Sequence, residues 1–252
     1  VDLVVLSPEI LLLLFLVALL AGCLDTLAGG GGLIVLPALI LAGLPPLQAL
    51  GTNKLQGTMG TATASLMMLR HGRVRWPTVK WLMLTAFLGA ASGSLLVQFI
   101  ATDFLAFIIP AVLVFIATYF LLAGKLLEVL HPPRIGAISY RNLVVPLIGG
   151  YDGMFGPGTG SFFALSGVAL QGRTLLEATA VAKTLNFATN FASLLVFLLA
   201  GQIVWLAGLV MMLGQACGAW LGAHMLLRIK PVYLRILIVT ICLLMLARYF
   251  SG

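Results

Sequence analysis

Two glycine-rich breaks, each inside an apolar stretch and each beside an aspartate, constrain this chain more than any other feature. The first is Gly29-Gly30-Gly31-Gly32, with Asp25 just ahead of it; the second runs Asp152-Gly-Met-Phe-Gly156-Pro157-Gly158-Thr159-Gly160. A lysine lies further along from each, Lys54 after the first and Lys183 after the second. In hydrocarbon an interrupted helix leaves backbone groups without partners and an ionised side chain without water, so each feature is unfavourable there. Finding them together twice calls for a polar site inside a membrane-embedded bundle, which we read as a transport pathway.

That the surroundings are a membrane follows from composition. The 252 residues are 62% hydrophobic and 8% charged, with a mean hydropathy of +1.16, which excludes a soluble domain of this length. Long apolar runs with short connections predict an all-α polytopic membrane protein, since a barrel would show short alternating segments instead. The net charge of +7 comes from clusters between spans, which is a topology signal and predicts no nucleic-acid partner. Cys23, Cys217 and Cys242 lie in apolar runs without CxxC spacing and read as packing residues. His71, His131 and His224 are isolated, so neither a metal site nor a cofactor is expected. Val1 to Glu9 has no basic region of the kind that opens a signal peptide.

The halves share one order of parts. Pro8 to about Ala28 is long enough to cross, a span needing roughly 20 residues; Leu33 to Gly43 is a short arm; Leu47 to Leu69 is rich in small residues and carries Lys54; Pro77–Ala101 and Asp103–Ala123 are plain spans. After a polar connection from Gly124 to Tyr140, the second half repeats this with Arg141–Phe155, Ser161–Gln171, the Lys183 helix Leu175–Leu199, and the spans Val204–Leu227 and Val232–Phe250. Placing Asp25 on Asp152 puts Gly29 on Gly156 and Gly31 on Gly158; two inserted residues then bring Ala49-Leu-Gly-Thr-Asn-Lys54 onto Ala178-Thr-Ala-Val-Ala-Lys183. The expectation is a single transmembrane domain over 1–252, made of two inverted repeats, 8–123 and 141–250, joined by a cytoplasmic linker, 124–140. Each repeat is a glycine-broken helix pair followed by three transmembrane helices.

Basic residues orient it. With Arg70, Arg73, Arg75 and Lys80 in the cytoplasm, an inverted second half places Arg173, Arg228, Lys230 and Arg235 there as well, and leaves only Arg248 on the face that holds both termini. This matches the positive-inside rule. Broken segments that dip and broken segments that cross in pairs give the same parity. The arm Pro8 to Asp25, at ~1.5 Å per residue, is long for a dip.

Asp25, Lys54, Asp152 and Lys183 fall at membrane depth, where each costs about 2.5–3.5 kcal/mol at a helix centre. One reading is structural: each aspartate and lysine form an ion pair that holds a broken helix to its neighbour. The functional reading uses the glycines. Gly29, Gly30, Gly31 and Gly32, and Gly156, Pro157, Gly158 and Gly160, would present amide groups and the positive ends of short helices to a small anion. Lys54 and Lys183 would add charge, and Asn53 and Asn186, with Gln56 and Asn190, would complete its hydrogen bonding; helix–helix bonding is the alternative for these amides and for Thr52 and Thr58. Asp25 and Asp152 could not bind an anion while ionised, and are candidates for proton coupling. Gly-Thr-Asn-Lys54 lacks the Gly-Lys-Ser/Thr of a phosphate loop. An intramembrane aspartyl protease would need a Gly-x-Gly-Asp motif that is missing and would leave the lysines unexplained.

Four ordered motifs carry a resemblance to a known family. Asp25-Thr-Leu-Ala-Gly-Gly-Gly-Gly-Leu-Ile-Val-Leu-Pro37, Ala49-Leu-Gly-Thr-Asn-Lys54, Tyr151-Asp-Gly-Met-Phe-Gly-Pro-Gly-Thr-Gly-Ser-Phe162 and Ala180-Val-Ala-Lys-Thr-Leu-Asn186 resemble the sulfite exporter TauE/SafE family, nearest its YfcA-like branch. The likeness covers nearly the whole chain; Gly51 departs from it, such relatives tending to alanine there. It implies a bacterial inner-membrane transporter of a small sulfur-containing or organic anion such as sulfite, thiosulfate or a sulfonate, with its site at the matched glycines and lysines. The readings left open are a secondary transporter working by alternating access, with or without protons; an uncoupled anion channel or facilitator; and an intramembrane enzyme. No catalytic residue is assigned.

Overall fold

The computed structural model describes residues 6–28, 30–105, 107–109, 111–112 and 132–225. The expected spans Asp103–Ala123 and Val232–Phe250 fall largely or wholly outside these, as does Gly29. Among the described residues the secondary structure is helical throughout, without a strand.

The first half gives α1 (Pro8–Ala28), α2 (Gly32–Leu41), α3 (Pro46–Arg70) and α4 (Trp76–Val97). Pro46 and Pro77 sit in the first turns of α3 and α4, where proline's fixed φ suits a helix and its missing N–H costs nothing. In the second half Ala137–Ser139 and a π-wound turn, Tyr140–Val144, lead without a break into α5 (Val145–Met154). Then come α6 (Thr159–Gln171), α7 (Leu175–Leu199) and α8 (Trp205–Met225). α7 begins in a capping box: Glu177 N–H donates to Thr174 Oγ1 at 3.3 Å and Thr174 N–H to Glu177 Oε2 at 3.1 Å.

Among the described residues, four helices are long and apolar enough to cross a membrane: Pro8–Leu27, Trp76–Val97, Leu175–Leu199 and Trp205–Met225. α1, at 21 residues, has the length of a full crossing. The 10 residues of α2 do not. α3 is 25 residues long but is not among the four, because it spends its positions on threonine, glycine, asparagine, glutamine and lysine. Large apolar side chains elsewhere face outward, Leu12, Leu13 and Leu16 on α1 and Leu84, Leu88 and Leu95 on α4 among them, as contact with lipid tails requires.

Packing follows one pattern in both halves. α1 lies along α8 and α5 along α4; α3 meets α7 at the centre; α3 also packs on α8, and α7 on α4. Small residues permit these approaches. A Cβ on Gly218 would come within 1.9 Å of the Leu19 carbonyl oxygen, and one on Gly89 within 2.2 Å of the Pro146 carbonyl oxygen. Gly22 similarly rests on the Gln215 carbonyl and Gly149 on that of Ala86. In each case the second contact is the one obtained by shifting the first with the alignment of Asp25 on Asp152 and Lys54 on Lys183.

The end of the 124–140 connection is packed. Arg134 N–H donates to the Leu170 carbonyl at 2.9 Å, Gln171 Nε2 to that of Ile135 at 3.0 Å, and the buried Tyr140 hydroxyl pairs with Ser166 Oγ at 2.9 Å.

Candidate functional site

The two breaks meet. Gly32, the first residue of α2, lies against Pro157 of the second break, so that a Cβ on Gly32 would stand 3.2 Å from Pro157 Cα. Gly156 and Gly158 take φ of +96° and +81°, a left-handed conformation that suits glycine, and Gly158 is the residue from which α6 starts. The second break is therefore built as a sharp corner that brings the C-terminal end of α5 to the start of α6, and the start of α2 lies against α1, where a Cβ on Gly31 would come within 2.7 Å of the Ala21 carbonyl oxygen.

Each lysine crosses to the other half. Lys54, on α3, donates from Nζ to Asp152 Oδ1 at 2.9 Å and also to the Asp152 carbonyl. Lys183, on α7, donates to the Asp25 carbonyl and stands 3.6 Å from Asp25 Oδ2. Grouping each aspartate with the lysine that follows it in sequence thus gives way to an exchange between halves. Both lysines are inaccessible, at 0% and 1% exposure. The bonds to main-chain carbonyls place each ammonium at the C-terminal end of a broken helix, α5 for Lys54 and α1 for Lys183, where the helix dipole favours a cation.

The aspartates do the reverse job at the next helix. Asp25 Oδ1 accepts from the Gly31 amide at 3.3 Å, beside the start of α2; Asp152 Oδ1 accepts from Thr159 Oγ1 at 3.0 Å, at the start of α6. Each carboxylate lies where an anion would be favoured by a positive helix end. Part of the first-turn donors are already used, Leu33 N–H on the Gly30 carbonyl and Ser161 N–H on that of Gly158.

These groups surround a small polar cavity lined by Asp25, Gly32, Asn53, Gln56, Gly57, Thr61, Asp152, Gly156, Gly158, Gly160, Asn186, Asn190 and Gln215. Of the residues singled out from sequence, Asp25, Asn53, Gln56, Asp152, Asn186, Asn190 and the glycines 32, 156, 158 and 160 line it. Lys54 and Lys183 are not among its lining residues and instead pair with the aspartates; Gly31 donates its N–H to Asp25 Oδ1; Gly30 and Pro157 are buried, the Pro157 carbonyl accepting from the Tyr151 hydroxyl at 2.6 Å. The amides pair within their own helices, Gln56 Nε2 with Asn53 Oδ1 at 2.8 Å and Asn190 Nδ2 with Asn186 Oδ1 at 3.0 Å. Thr58 bonds back to the Lys54 carbonyl, whereas Thr52 accepts the Val204 amide. Thr61, Thr159 and Gln215 were not legible as site residues. For Gln215 the signal was present, an uncharged amide alone within the apolar run Val204–Leu227.

Discontinuous helices meeting around a buried polar cavity, within a bundle of apolar spans, define a multi-pass membrane protein of the transporter class. Comparison with known proteins agrees. The chain belongs to the sulfite exporter TauE/SafE family, which it matches over residues 14–249. It is 42% identical over 240 residues to a "Probable membrane transporter protein" of Haemophilus influenzae, covering 95% of this chain and 94% of the relative. It is 45% identical over 219 residues to "Probable membrane transporter protein ORF9" of a Sinorhizobium species, covering 87% and 84%, and 41% identical over 242 residues to "Probable membrane transporter protein YfcA" of Escherichia coli K12, covering 96% and 90%. No solved structure matches the chain.

Proposed function

We propose that this protein is a secondary transporter of a small anion, of the sulfite, thiosulfate or sulfonate kind, working by alternating access in the bacterial inner membrane. The observation that carries this is the shared cavity, to which both glycine breaks contribute, with Gly32 from one and Gly156, Gly158 and Gly160 from the other. The positive ends of α2 and α6 supply the attraction for negative charge. The family's name, sulfite exporter, supports a sulfur oxyanion as the solute.

The halves act as inverted repeats, with both termini on the periplasmic side and the linker 124–140 in the cytoplasm. The matched contacts Gly22–Gln215 and Gly149–Ala86 support the repeat, and the placement of basic residues supports the orientation. Rocking one half against the other about the α3–α7 contact opens the cavity to each side in turn.

Asp25 and Asp152 serve as resident anions at the helix ends that the solute will use. With each carboxylate already balanced by a lysine, a solute anion entering alone would leave the buried centre net negative, so its arrival requires a compensating positive charge. That is the basis for coupling at Asp25 and Asp152. Uptake into proteoliposomes of sulfite, thiosulfate, sulfoacetate and short alkanesulfonates, with and without ion gradients, tests the reading. Flux of one of these anions that is saturable, driven by a gradient and lost in Asp25→Asn or Asp152→Asn is expected. Flux indifferent to every gradient would indicate a facilitator, and no flux of any anion would overturn the proposal.

A further inference from the structure

The two aspartates are not equivalent. Asp25 has both carboxylate oxygens engaged, Oδ1 by the Gly31 amide and Oδ2 by Lys183. Asp152 has only Oδ1 engaged, by Lys54 and Thr159; its Oδ2 has no hydrogen-bond partner among the described residues although the residue is 1% exposed. Two further residues lining the same cavity each carry a buried oxygen without a hydrogen-bond partner among the described residues, Gln56 Oε1 and Gln215 Oε1, on residues 2% and 3% exposed. The Gln56 amide is oriented by its own bonds: Nε2 donates to the carbonyl and to Oδ1 of Asn53, both acceptors, which leaves Oε1 pointing elsewhere. Gln215 reaches α3 because Gly60 has no side chain, its Cγ lying 2.4 Å from where a Cβ would be.

All three unmatched atoms are acceptors. A solute anion would add more acceptors, so it cannot satisfy them; a hard cation can, since oxygen ligands of this kind are what it binds. The charge count points the same way. Lys54 balances Asp152 and Lys183 balances Asp25, so the empty-handed centre is neutral, and an anion entering alone would leave a net negative charge away from water. One added positive charge restores neutrality. A divalent ion would demand more carboxylate than the single half-free group available, and a proton on Asp152 Oδ2 would give one donor to one glutamine and leave the other unmatched.

We propose that Asp152 Oδ2, Gln56 Oε1 and Gln215 Oε1 form a binding site for a monovalent metal cation of the sodium kind, which enters with the anion. This rests on the anion-transport reading for its role in coupling, while the site itself can be tested without it. Purified protein is melted in NaCl and in choline chloride at equal ionic strength and fixed pH, with no anionic solute added. Sodium is expected to raise the melting temperature, and Gln215→Met and Gln56→Met to raise the half-saturating Na+ concentration by about tenfold or more while melting normally in choline. If either variant fails to fold, the other is read alone, and Asp152→Asn, which also leaves Lys54 without its carboxylate and so melts lower in choline, is read only for loss of the Na+-dependent rise. In proteoliposomes at one pH on both sides, a Na+ gradient is expected to drive anion accumulation. Sodium stabilisation without anion flux would uphold the site and sink the transport reading. Anion flux and melting that ignore Na+ but follow pH would overturn the site in favour of protonation of Asp152, and flux that ignores both would overturn it in favour of ordinary buried water.

Discussion

Lys54 and Asp152, 98 residues apart in the chain, form a buried ion pair at 2.9 Å that ties the α3 helix of one half to the corner of the other. A counterpart runs from Lys183 to Asp25 at 3.6 Å. The two halves therefore clasp each other at the place where both are broken.

Removing one member of the clasp strands a charge away from water. Lys54→Gln is expected to destabilise the purified protein by about 3–5 kcal/mol, and Asp152→Asn in the same background to restore a good part of that. The double variant should fall short of the sum of the singles by at least about 0.5 kcal/mol, the coupling expected of residues in contact. Denaturation of the detergent-solubilised variants reads this, and strict additivity would show that the pair contributes nothing as a pair.

Gly156 and Gly201 separate backbone strain from site damage. Both have positive φ, +96° and +66°, so alanine at either costs about 1–2 kcal/mol from conformation alone. A Cβ at Gly201 meets open space, but at Gly156 it stands 3.0 Å from Lys54 Nζ and 3.4 Å from Asp152 Oδ1. Gly156→Ala should abolish anion flux where Gly201→Ala preserves it, at matched amounts of folded protein in the membrane.

The glycine seams should respond alike in the two halves. Gly218→Ala and Gly89→Ala each drive a methyl into a facing carbonyl, an overpacking that costs typically about 1–3 kcal/mol. Lowered melting temperatures of similar size are expected for both by fluorescence-detected chromatography. Tolerance of either would mean that its helix pair separates more freely than the close approach indicates.

Inversion of the halves can be read chemically. His71 and Ala200 are exposed, follow α3 and α7 respectively, and correspond under the Lys54–Lys183 alignment. In a background without cysteine, a membrane-impermeant thiol reagent should label His71→Cys only from the cytoplasmic side and Ala200→Cys only from the periplasmic side. Labelling of both from one side would mean that the halves are parallel.

The sequence by itself determined the class of fold, because apolar runs of crossing length, lysines and arginines between them, and glycine breaks are local features that the bilayer reads directly. It placed the start of α1 at Pro8 and the second break at Asp152–Gly160, and it marked Asp25, Lys54, Asp152 and Lys183 as the charges with no ordinary reason to be there. It also carried the register of the halves, since Gly22, Gly149, Gly89 and Gly218 keep the spacing of the aspartates and lysines. Only the tertiary structure decided which partner each charge takes. A lysine is near its own aspartate along the chain, yet side-chain reach is set by how helices cross, and the crossing of α3 with α7 hands each lysine to the opposite half. The same holds for Gln215: on an apolar helix an amide can face lipid or centre, and only its seat on Gly60 turns it toward the cavity.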